Sequence, residues 1–125
     1  MIPIVRKSKS EIAQLKIYDL ESLVRIRAVN KFAGKKVVFI SGVFDVMNGE
    51  QLEIINNAAD QGDFLIIGLN SDVSVFGIIG KDKLVNDESV RSLILASMQV
   101  VNAIILFDEE IPSTLIAALT PDVII

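Results

Sequence analysis

Four short apolar runs punctuate this 125-residue chain: Lys36–Ser41, Phe64–Leu69, Ala103–Phe107 and Asp122–Ile125. They are rich in β-branched residues and show no polar alternation, the pattern of strands buried on both faces. Segments with apolar residues at helical spacing separate them. Strands and helices in this order join through right-handed crossovers, which makes the sheet parallel and covers both of its faces. The expected fold is therefore α/β, a three-layer doubly wound parallel sheet of the Rossmann-like kind with about four strands in this chain.

The connecting segments read in order. Asp19 is a suitable N-cap for a helix over 20–32, with Leu20, Leu23, Val24 and Arg27 at helical spacing and Ala33-Gly34 at its end. A helix over 49–61 turns Leu52, Ile55, Ala58 and Ala59 inward and closes at Gly62. Another, over 88–101, is expected to bury Val90, Leu93, Ile94, Ser97, Met98 and Val101. Pro112 suits the first turn of a helix over 112–119. Asn70–Val75 and Phe76–Gly80 read as loop, the second part apolar where a loop should be wet, and so either core or a partner surface. Residues 1–18 read as a loosely ordered basic lead-in and 19–125 as a single domain. A last strand with no covering helix after it suggests a truncated C-terminus.

Composition narrows the chemistry. With no histidine and no cysteine, an imidazole general base, a Ser–His–Asp triad, a thiolate nucleophile and a zinc site are all excluded. Carboxylates, lysines, arginines, hydroxyls and backbone groups remain. The longest apolar runs are about six residues against the ~20 needed to cross a bilayer, and the first residues lack the organisation of a signal peptide, so no membrane partner and a cytoplasmic location are expected. Charge is divided unevenly. Residues 1–36 carry nine basic and three acidic side chains, a net of +6, whereas residues 37–125 carry three basic and thirteen acidic, a net of −10. The acidic body is a poor platform for nucleic acid, and none is expected as a partner.

In a doubly wound sheet ligands gather at the carboxyl ends of the strands, with anions at a helix N-terminus. Gly42-Val-Phe-Asp-Val-Met-Asn-Gly-Glu-Gln51, after the first strand, is the segment so placed. Gly42 permits close backbone approach or serves a tight turn. Asp45 either meets a Mg²⁺ ion or caps backbone amides. Asn48 and Gln51 have the spacing of a capping box, with Glu50 complementing the helix dipole. Asn70, Ser71 and Asp72 end the second strand and also suit an Asx turn. Arg91 either faces the site or pairs on the helix surface with Asp87 or Glu88. Asp108, Glu109 and Glu110 read as solvated dipole partners of the helix after Pro112.

These segments together resemble the nucleotidyltransferase superfamily that carries H-x-G-H after a G-x-F-D turn, and within it the adenylyltransferase half of ADP-heptose synthase. The likeness runs through Leu69-Asn-Ser-Asp-Val-Ser-Val75, Val85-Asn86 followed by Arg91, Phe107-Asp-Glu-Glu-Ile-Pro112 and Pro121-Asp-Val123, and covers about residues 17–125. It implies transfer of a nucleotidyl group from ATP or CTP, with Mg²⁺, to a sugar phosphate, releasing pyrophosphate. It places nucleotide binding at Gly42, Val43, Phe44, Asn48, Gln51, Asn70 and Arg91. The chain departs from the pattern where chemistry is concentrated. Asn48 and Gln51 stand at the two histidine positions, Glu50 at the motif glycine and apolar Phe76–Ile79 where the family carries basic residues. No catalytic residue is therefore assigned, and the expected activity is lost or weak. The alternative on the same fold is a non-catalytic interaction module, with homo-oligomer formation through the Asp122–Ile125 strand or the Phe76–Ile79 segment.

Overall fold

The computed structural model describes residues 6–125. Its elements are α1 (Lys9–Gln14), α2 (Leu20–Phe32), β1 (Val37–Gly42), α3 (Gly49–Ala59), β2 (Phe64–Asn70), α4 (Asp72–Ile79), a 3₁₀ turn (Lys81–Lys83), α5 (Glu88–Ala96), β3 (Ala103–Phe107), α6 (Ser113–Leu119) and β4 (Val123–Ile124). The four strands form one sheet in the order β3-β2-β1-β4, and every pairing is parallel. The expected three-layer α/β architecture is the observed one.

Two apolar layers hold the sheet. Ala13 of α1, Ile55 and Ala58 of α3, and Leu95 and Ala96 of α5 pack with Val38, Ile40, Leu65 and Ile67 on one face. Leu23 of α2 and Leu115 and Leu119 of α6 pack with Val37, Phe39, Ile66 and Ile105 on the other. Chain direction across the sheet reverses between the β1-to-β2 step and the return from β3 to β4. The switch point therefore lies between β1 and β4. Gly68 in β2 makes room for an aromatic: a Cβ there would stand 2.6 Å from Phe39 Cζ.

Three expectations are corrected. Within the supposed loose lead-in, Lys9–Gln14 form a helix with a complete capping box between Ser8 and Glu11. Ala13 is buried, and Tyr18 N–H donates to Ile104 C=O while Ile104 N–H donates to Lys16 C=O, so this segment covers part of the β3 edge. Residues 1–5 of that lead-in lie outside the described residues.

Asp72–Ile79 is a helix rather than a loop. Ser71 Oγ accepts from Ser74 N–H to start it, and Gly80, at φ +91°, stops it. Val75 is buried, while Phe76, Ile78 and Ile79 are partly exposed.

The helix expected over 88–101 ends at Ala96, with Ser97 as its C-cap. Its inward face is also rotated. Arg91, Ser92, Leu95 and Ala96 are buried, whereas Val90 and Ile94 are exposed. Together with Leu93 and Ser97 they line an apolar surface groove. Arg91, which the sequence leaves between the site and the helix surface, is held inside by its hydrogen bonds.

Candidate functional site

The carboxyl end of the sheet is organised around Arg91, whose side chain is fully buried. Nε donates to Asn86 C=O at 3.0 Å, Nη1 to Val43 C=O at 2.9 Å and Asn70 C=O at 2.7 Å, and Nη2 to Asp72 Oδ1 at 2.7 Å. One guanidinium thus ties the turn after β1, the end of β2, the start of α4 and the segment before α5. Such a fork suits arginine, whose planar donors diverge in fixed directions. The surface pairing with Asp87 or Glu88 is replaced by a buried ion pair with Asp72. Asp87 instead caps α5 through Val90 N–H, and Glu88 Oε1 accepts from Asp72 N–H at 3.1 Å.

Asp45 makes the second tie. Its carboxylate accepts from Val85 N–H and Asn86 N–H, both at 2.8 Å, and Asn86 Nδ2 donates to Asp45 C=O. Capping of backbone amides is therefore the reading the contacts support, although the amides lie forty residues away in sequence. Among the described residues no group of three acidic side chains is placed to hold a metal ion. The contact also fixes the chain end of the Lys81–Lys83 turn beside the β1–α3 connection.

Gly42, Val43 and Phe44 form the turn itself. Phe44 has φ +47°, a left-handed conformation that costs a non-glycine residue of order 1–3 kcal/mol. Its ring lies 3.0 Å from the position a Cβ on Gly42 would take. The lack of a side chain at Gly42 accommodates that aromatic ring. Asn70 is buried, donating through Nδ2 to Ser74 Oγ at 3.1 Å and to Glu109 C=O at 3.4 Å.

Asn48 is the N-cap of α3, and its Oδ1 accepts from Gln51 N–H at 2.9 Å. Only this half of the expected capping box forms: Gln51 Oε1 is buried and has no hydrogen-bond partner among the described residues. Glu50 sits in the first turn, where its charge complements the helix dipole and opposes an anion. Arg91 thus joins Val43 and Asn70 directly, Gly42 and Phe44 share the turn, and Asn48 with Gln51 closes the helix that follows.

These residues do not fit a Mg²⁺–nucleoside triphosphate. The buried guanidinium is engaged by four protein oxygens, and the helix start presents a carboxylate.

The all-parallel sheet, with helices on both faces and its strand order reversing beside β1, matches a Rossmann-like nucleotidyltransferase fold. Among known proteins the chain has clear homologues. No family profile matches it, but curated relatives do. It is 36% identical over 119 residues to the bifunctional protein HldE of Campylobacter fetus, covering 95% of this chain and 25% of that protein. It is 39% identical over 110 residues to HldE of Helicobacter acinonychis, covering 88% and 23%. The HldE of Wolinella succinogenes is 35% identical over 113 residues, covering 90% and 24%. The chain therefore spans about a quarter of the length of these relatives. Among solved structures, a lipopolysaccharide core biosynthesis protein from Thermoplasma volcanium superposes with a TM-score of 0.63 at 25% identity, covering 73% of each chain. The resemblance to the ADP-heptose synthase group is thereby established.

Proposed function

We propose that this chain is a nucleotidyltransferase scaffold whose transfer of a nucleotidyl group from ATP or CTP to a sugar phosphate is slowed by more than ~10⁴ relative to histidine-bearing members of its family. The supporting observation is the start of α3, capped from within by Asn48 and carrying Glu50 in its first turn. Nucleotidyl transfer depends on positioning and on donors aimed at charge that develops on the phosphates. Losing one such donor costs roughly 10²–10³ in rate. Two histidine positions hold neutral amides here, and the losses need not add.

Pyrophosphate release is the test, measured with Mg²⁺ and either ATP or CTP across a panel of sugar 1-phosphates. The protein is expected to stay at background, while combined Asn48→His, Glu50→Gly and Gln51→His raises nucleotide affinity. Turnover by the unaltered chain at an ordinary enzymatic rate, on the order of 1–10³ s⁻¹, overturns the proposal.

A further inference from the structure

We propose that the opposite, amino-terminal end of the sheet carries an anion site for a phosphoryl group, built by Arg27, Lys31, Gly34, Lys35 and Lys36. These residues with Asp122 line a cavity of about 290 Å³, ample for a phosphate or a small phosphate ester. The cavity draws on the basic third of the chain, which carries a net +6, and sets four cations against one carboxylate.

That carboxylate is already occupied. Asp122 Oδ2 accepts from Val37 N–H at 2.7 Å and Oδ1 from Arg27 Nη2 at 3.3 Å. Arg27 is more than nine-tenths buried. Its Nε donates to Leu119 C=O and its Nη2 also to Thr120 C=O, but Nη1 has no hydrogen-bond partner among the described residues. That nitrogen is itself sealed from solvent, so Arg27 lends the cavity its charge, and the lysine ammonium groups supply the hydrogen bonds to an anion.

Sequence spacing sets the cluster. Arg27 and Lys31 are four residues apart and share a face of α2. The helix then ends at Ala33, and Gly34, at φ +72°, turns the chain so that Lys35 and Lys36 return beside them. Nothing lies within 4 Å of where a Gly34 Cβ would stand, so the turn is open to a ligand. The last carbonyls of α2 do not repel an anion at full strength, because those of Val29, Asn30 and Lys31 accept from Ala33, Lys35 and Gly34 N–H. Both inorganic phosphate and a small phosphate monoester carry the required dianion. The site owes nothing to the nucleotide-site motifs at the other end of the sheet.

The test is titration of the chain with inorganic phosphate, and separately with glycerol 3-phosphate, followed by backbone amide NMR at low salt. Saturable shifts centred on Gly34, Lys35 and Lys36 are expected, and tighter binding of the ester than of free phosphate assigns the site to small phosphate esters. Combined Lys31→Gln and Lys35→Gln, both at exposed positions, should weaken binding about tenfold with an unchanged thermal unfolding curve. Non-saturating shifts spread over Lys7, Lys9, Lys81 and Lys83 overturn the proposal, as does an unaltered titration of the double variant. Shifts centred on Gly49–Gln51 also overturn it, by moving the phosphate to the start of α3.

Discussion

Arg91 and Arg27 are both buried arginines at opposite ends of one sheet, and they differ in what their guanidinium groups leave free. Arg91 directs its donors to three backbone carbonyls and Asp72. Arg27 reaches two carbonyls and Asp122 but leaves Nη1 without an acceptor. Arg91 organises a turn, whereas Arg27 lends its charge to a cavity lined by three lysines. The guanidinium with more of its donors engaged is the one at the carboxyl end of the strands.

The contrast breaks most visibly at Arg91. Arg91→Met leaves Asp72 and three carbonyls without their buried partner, and removing one side of such a pair costs about 3–5 kcal/mol. Urea unfolding should show that loss, and a change under ~1 kcal/mol would show that the clamp is ornamental. Gly68→Ala in the sheet between the two ends comes next. The added methyl meets Phe39 Cζ at 2.6 Å, and overpacking of this kind costs about 1–3 kcal/mol. Amide exchange should then speed up at both ends alike, unlike the local response to either arginine. Arg27→Met is expected to cost less than Arg91→Met, about 1–2 kcal/mol, because the lost bonds are offset by relief of the unpaired Nη1. Equal costs would erase the distinction drawn between the two residues.

Two carboxylates give a smaller, pH-dependent effect. The Val37 backbone N–H holds the Asp122 carboxyl below its ordinary range, with Arg27 and Lys36 adding to it against some desolvation. Asp19, which caps α2, is lowered chiefly by the Ser22 backbone N–H. A depressed folded pKa means that the unfolded chain takes up protons first, so each contribution is complete above the unfolded value near ~3.9 and disappears as pH falls through the lower folded value. Asp122→Asn should therefore narrow the stability gap to the unaltered protein as pH drops below about 4. A gap that stays constant across that range contradicts the assignment.

The strands and the order of layers were legible because β1, β2 and β3 are written in contiguous apolar residues. The caps at Asp19 and Asn48 were legible for a related reason: each acts within three residues of itself. What escaped the sequence is non-local. Asp45 binds amides at Val85 and Asn86, and Arg91 binds the carbonyls of Val43 and Asn70, so most of these partners lie far away in sequence. The buried arginine also turns the inward face of α5 away from Val90 and Ile94, which apolar spacing alone had placed inside. In α4 the apolar Val73–Ile79 stretch lacks a polar face, so its amphipathic signal was too weak to mark a helix, although Ser71 and Gly80 were its start and stop.

The closed nucleotide end is tested most directly by calorimetric titration of the protein with ATP and then CTP, each with Mg²⁺. The structure predicts no saturable heat up to millimolar nucleotide. Binding at micromolar strength, about −8 kcal/mol, would contradict it and show that the start of α3 accepts a triphosphate despite Glu50.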